Sequence, residues 1–265
     1  SFARLGTERL RPVFEDLSGT VPYTELKLLR LYYLCLNQTP PEGHKTFVCL
    51  AASRKYGGYC VAGKEWTDGK VGPWIRPVSK QEAGELSTRE IRMNNGRIPQ
   101  CLDIVTIDTQ GAAYHPCQKE NVLIAEKRPW VWQRKLPFAV LLELVDDVDS
   151  LWQPDFHSKN GVNDRVPEEI VREAKEPSLY LIRPESIVLV VSDDLDGRKK
   201  VQARFTYNET LYLLSVTDPG IERIYLRKDN GEYPLTAGDL FLTLSLGEPF
   251  NGFCYKLAVA VIAVD

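Results

Sequence analysis

The chain has 265 residues, 43% of them hydrophobic and 26% charged. That balance excludes wholesale disorder, and the length suffices for one or two domains with cores of their own. Thirty-three Lys and Arg stand against 36 Asp and Glu, a net charge of −3, so the strongly basic composition of a dedicated polyanion binder is absent.

No apolar run approaches the roughly 20 residues of a spanning helix. No basic segment followed by an apolar one opens the chain, so no secretory leader is expected, and the first residue is Ser1, which leaves a processed or truncated start open. The expected location is the cytoplasm. The six cysteines (Cys35, Cys49, Cys60, Cys101, Cys117, Cys254) contain no C-x-x-C pair. With only His44, His115 and His157 beside them, they read as reduced thiols and not as zinc ligands.

In chain order, residues 25–36 (ELKLLRLYYLCL) predict a helix, with Leu28, Leu29, Tyr32 and Leu36 on one stripe and Thr24 as N-cap. Residues 37–43 read as a linker, which makes residues 1–44 a helical appendage or the tail of an upstream domain. Strand signals then dominate: 46–51, 59–62 after Gly57-Gly58, 74–76, 102–107 and 122–125. Residues 136–148 read as a helix or a buried strand, and 167–175 as a short helix with Pro167 in its first turn. Strands are predicted at 179–182, 187–191, 201–207, 210–216, 239–246 and 253–264, with turns at 194–197, 208–209, 218–220 and 247–249. Short strands at regular spacing predict a mainly β protein built from small barrels or a sandwich. Two echoes, Ile75-Arg76-Pro77 with Ile182-Arg183-Pro184 and Gly58-Tyr59-Cys60 with Gly252-Phe253-Cys254, suggest two related β modules.

Several motifs fail on inspection. Residues 58–64 match G-x-x-x-x-G-K, but Glu65 stands where a phosphate loop needs a Mg²⁺-binding hydroxyl, and strand signals surround it. Residues 193–197 open like a calcium loop whose closing Glu is missing. No G-x-S-x-G elbow and no paired nucleophile and base stand out. The expectation is a binding protein without cofactor or metal, with an enzyme left open as the less favoured reading.

The pattern that does suggest chemistry is basic and aromatic. Residues 45–80 hold seven bases and two acids, with compensating acids at Glu143, Asp146, Asp147, Asp149 and Asp155. Single-stranded nucleic acid is held by rings that stack on bases and cations that follow phosphates. On that logic Arg54, Lys55, Lys64 and Arg76 are candidate phosphate contacts, and Tyr56, Tyr59, Trp66 and Trp74 candidate stacking faces. Arg183, Arg223, Tyr225, Tyr255 and Lys256 are the candidates in the second half. Arg76 and Arg183, each before a proline, equally suit buried ion pairs.

These residues lie in segments that resemble the bacterial dual OB-containing domain family: CLAASRKYGGYCVAG at 49–63, GPWIRPVS at 72–79, GELS at 84–87, VNDRVP at 162–167, LYLIRP at 179–184, SVTDP at 215–219 and LSLGEPFNGFCYKL at 244–257. The resemblance spans about 46–262 and omits residues 1–44. It implies two tandem OB-like barrels and a nucleic-acid-binding role in genome maintenance or anti-phage defence. The expected division is a first barrel at 45–150, a connecting segment with a short helix at 151–178 and a second barrel at 179–265, with interdigitation of the halves left open. The expected partner is single-stranded DNA or RNA, with no membrane involved. A protein-interaction module that docks an upstream effector domain or partner enzyme is the alternative, and a metal-dependent nuclease comes last.

Overall fold

The computed structural model describes residues 10–37, 43–126, 128–194, 196–236 and 238–264. Two compact units divide at Gly43 and His44. In the first unit, helices α1 (Leu10–Asp16) and α2 (Tyr23–Asn37) bury Val13 and Leu26, and Phe14 stacks on Tyr23 at 4.7 Å. The predicted stripe is displaced: Leu28 and Leu29 are exposed. The helix begins one residue before Thr24, whose predicted capping role therefore falls away. The side chains of Tyr32 and Leu36, and residues 38–42 of the linker, lie outside the described residues.

The second unit is mainly β. Its strands are β1 (His44–Lys55), β2 (Gly58–Thr67), β3 (Lys70–Val78), β4 (Asp103–Ala112), β5 (Asn121–Ile124), β6 (Val131–Lys135), β7 (Arg165–Pro167), β8 (Leu179–Ile182), β9 (Ile187–Asp193), β10 (Lys199–Tyr207), β11 (Thr210–Val216), β12 (Gly231–Pro234), β13 (Asp239–Phe250) and β14 (Phe253–Val264). Short helices α3 (Leu141–Leu144), α4 (Glu168–Glu173) and α5 (Pro219–Tyr225) connect them.

The first sheet runs β1-β2-β3-β5-β4-β6, and β1 also pairs with β4, which closes a five-stranded barrel. β3 and β5 are parallel and the other neighbours antiparallel. The second sheet repeats this plan. Its order is β12-β9-β10-β11-β14-β13-β8, with β11 and β14 parallel. In the first barrel a single strand, β1, pairs with β4 through its first half and with β2 through its second. In the second, β8 pairs with β13 and β9 with β10, so the two together take the place of β1. The interruption falls at residues 183–186, where Pro184 has no N–H to offer a ladder. Topology therefore carries the repeat. The short sequence echoes do not: Ile75-Arg76-Pro77 lies in the third strand of its barrel, whereas Ile182-Arg183-Pro184 ends the first strand of the other.

Alternation explains the apolar run of β1. Phe47 and Cys49 face the interior of the first barrel with Val61, Ile75, Val105, Ile107 and Trp130. Val48 and Leu50 face outward and are equally buried, because Leu179, Leu181, Phe241, Val259 and Ile262 of the second barrel pack against them. A strand covered on both faces reads as a continuous hydrophobic run. β13 obeys the same rule: Leu240, Leu242, Leu244 and Leu246 fill the second barrel, while the Thr243 hydroxyl donates to Leu50 O at 2.8 Å across the junction. Gly63 is required where the strands cross, since a Cβ there would lie 2.0 Å from Val48 O.

Candidate nucleic-acid interface

In an OB barrel the outer face of the second and third strands, with the loops that flank it, takes the ligand. In the first barrel that face carries Ala62, Lys64, Trp66, Trp74 and Arg76, and the second barrel covers much of it. Lys64 Nζ donates to Asp146 Oδ1 at 2.6 Å and to Leu144 O at 2.7 Å, and lies 5.3 Å from the centre of the Trp74 ring. Trp74 Nε1 donates to Asp146 Oδ2 at 3.1 Å. Arg76, 2% exposed, bonds through Nη2 to Glu120 at 3.0 Å, Ser178 Oγ at 2.8 Å and Ser245 Oγ at 3.1 Å. Buried charges of this kind persist only when paired and hydrogen-bonded.

The sequence-predicted residues thus separate into two groups. Lys64, Trp74 and Arg76 are turned into the junction between the barrels, and Trp66 is half-buried against the same core. Lys256 is 1% exposed inside the second barrel, where its Nζ donates to Gln153 O at 3.0 Å and sits 5.3 Å from the Tyr212 ring. Burial lowers its pKa to about 8, against the pull of Asp164 and Asp155. Arg183 is paired with Asp239. Tyr225 is half-buried, edge-on to Tyr233, with Lys228 Nζ 4.2 Å from its ring centre. Tyr59 packs on the core of the first barrel, and Tyr255 is half-buried on β14. These placements correct the expectation of one open basic and aromatic face. Of the seven bases in residues 45–80, Lys45, Lys55, Lys64, Arg76 and Lys80 are all in close ion pairs.

What remains outward is compact. β1 and β2 are joined by the two-residue turn Tyr56-Gly57, both at positive φ (45° and 85°). Such turns favour Asn, Asp or Gly at the first position, and the other three two-residue hairpins comply with Asp68-Gly69, Asn208-Glu209 and Asn251-Gly252. Only here among the four does a tyrosine occupy it, 76% exposed. Arg54, 74% exposed at its side chain, precedes the turn, and its backbone N–H donates to Thr217 O of the second barrel at 3.2 Å. That bond brings the turn beside α5, where Asp218 caps the helix through Gly220 N and Ile221 N and Arg223 is exposed. The Asp-Pro-Gly signal at 218–220, read as a turn, is in fact this helix start. Glu222 lies 3.9 Å from Arg54, and burial raises its pKa although Arg54 opposes the shift. Below this ridge lies a cleft of about 240 Å³ between the barrels, lined by Lys55, Cys60, Arg76, Gln118, Leu246, Leu257 and Val259 among others. His115 stands nearby, its pKa lowered by burial and by Arg76 and Lys55 while Glu248 opposes.

Sequence reasoning missed Arg89, Arg92 and Arg128, which line a larger cleft of about 640 Å³ on the first barrel. The run EKRPWVWQRK at 126–135 carries the same basic and aromatic signal.

The model of the dual OB-containing domain matches residues 45–261. The chain belongs to that family. No curated protein matches it. Among solved structures this dual OB protein is similar to the tetrameric p202 HIN2 domain, at 12% identity and a TM-score of 0.31 over 85% of this chain and 95% of that one. It is also similar to a murine DNA-binding protein bound to double-stranded DNA, at 8% identity and a TM-score of 0.28 over 84% of this chain and 100% of that one. No helix of the described residues is long and apolar enough to cross a membrane.

Proposed function

We propose that this dual OB protein binds single-stranded nucleic acid along the ridge formed by Arg54, Tyr56 and Arg223. The carrying observation is Tyr56, held exposed at a positive φ that costs a bulky side chain energy. A ring presented to solvent at a turn two residues from an exposed arginine is the element that stacking on an unpaired base needs, and exposed arginines supply phosphate contacts. The setting in genome maintenance or anti-phage defence rests on the family resemblance. Fluorescence anisotropy with labelled single-stranded and duplex DNA and RNA, at low and physiological salt, tests the reading. Single strands are expected to bind best and to weaken with salt. No binding to any of the four polymers would return the ridge to a solvated surface and favour docking of a protein partner.

A further inference from the structure

The larger cleft lies at the end of the first barrel, between the segment that follows β3 and the segment that follows β5. Its walls include Lys80, Arg89, Arg92 and Arg128, and Met93, Ile124, Ala125 and Pro129 supply apolar surface. The two acids that line it are already engaged. Glu90 accepts from Ser87 N at 2.8 Å and Ser87 Oγ at 2.7 Å, a reciprocal pairing that pins the turn carrying Arg89. Glu126 is 2.9 Å from Lys80 Nζ. Arg89 and Arg92 are exposed, and neither is in an ion pair with a described residue. The wall is held in place: Met93 pairs with Trp130, and Asn94 N donates to Trp130 O at 2.8 Å.

The cleft is also tied to the ridge through the backbone. Tyr59, three residues after Tyr56, exchanges two backbone hydrogen bonds with Leu86, at 2.8 and 2.9 Å. Ser87, the next residue, already lines the cleft. The backbone therefore links the exposed residues Arg54 and Tyr56, through half-buried Tyr59 and buried Leu86, to the exposed residues Ser87, Arg89 and Arg92. We propose that the cleft takes backbone phosphates of the same strand that the ridge holds, extending its path across the end of the first barrel. This inference rests on the reading of the ridge and adds to it a second, separable phosphate site.

The test uses the whole chain, with the double variant Arg89→Glu/Arg92→Glu and labelled oligothymidylates of about 4 and about 16 nucleotides, the span of site sizes for one OB fold. A control, Lys70→Glu/Arg198→Glu, makes the same change of net charge at exposed hairpin positions. For the long strand, the slope of log K against log salt should become shallower by about 1.4 in the arginine variant, the loss of two single-strand phosphate contacts. The short strand should bind as it does to the wild-type chain, and the control should keep the wild-type slope. Wild-type binding with an unchanged slope in the arginine variant overturns the inference alone, as does an equal change in the control. Equal loss on the short strand merges the two sites and also overturns it. Failure of the wild-type chain to bind either strand removes the ridge reading and this inference together.

Discussion

Lys64 and Asp146 meet 2.6 Å apart across the junction of the two barrels. Asp146 Oδ2 also accepts from Leu181 N at 2.8 Å, and Asp146 N donates back to Leu181 O at 2.8 Å. One carboxylate therefore ties β2 and β3 of the first barrel to β8 of the second. The lysine that a linear reading assigns to phosphate is the structural counter-ion of an acid 82 residues away.

Asp146→Ala should destabilise the protein by about 3 kcal/mol, a fall in Tm of roughly 6–12 °C, because Lys64 would be left buried without its partner. Differential scanning calorimetry measures this. A shift below about 2 °C would mean that solvent already screens the pair.

Arg76 and Glu120 form the second junction pair, with side chains 2% and 5% exposed. Arg76→Ala should cost about 3–5 kcal/mol, and the apolar double variant Arg76→Met/Glu120→Leu should recover much of the loss, since no uncompensated charge remains. Denaturant unfolding of the three chains decides. Any loss of nucleic-acid binding in Arg76→Ala is expected to track unfolding, which separates a structural arginine from a phosphate contact.

Much of the β architecture was legible because strands here are punctuated by Gly, Pro and Asn. β6, β7 and β12 escaped because each is short and partly exposed, with pairing supplied by a distant strand. The site was legible only in part. A basic segment reads identically whether its charges face water or acids far along the chain, and Asp146, Glu120 and Glu248 reveal themselves as partners only when the barrels pack. The glycine pair Gly57-Gly58 predicts a turn, but the turn falls one residue earlier, at Tyr56-Gly57, and its rarity lies in the sign of φ, which composition does not state.

Lys256 predicts a pH dependence. Its pKa falls from 10.5 to about 8 in the fold, so between those values the unfolded chain holds more of the proton. Stability from this group should then rise as pH increases from about 8 to about 10.5, and be flat below 8, where both states are charged. Lys256→Met should remove that rise. Urea unfolding of both chains at pH 7, 8, 9 and 10 supplies the comparison, and parallel curves would show that Lys256 titrates normally.

The turn at Tyr56 predicts opposite effects on stability and binding. Asn tolerates positive φ better than Tyr, so Tyr56→Asn should leave the fold intact and stabilise it by up to about 1 kcal/mol. The same change removes the exposed ring and should weaken single-strand binding by about 1–3 kcal/mol, which is roughly 5- to 150-fold in Kd. Arg54→Glu/Arg223→Glu should instead flatten the salt dependence by about 1.4 in slope, leaving Tm near the wild-type value. Anisotropy titrations and thermal melts on the same samples read both quantities. A Tyr56→Asn chain that is more stable and binds as tightly as wild type would leave the strained tyrosine without the role assigned to it, and stacking at the ridge would have to be abandoned.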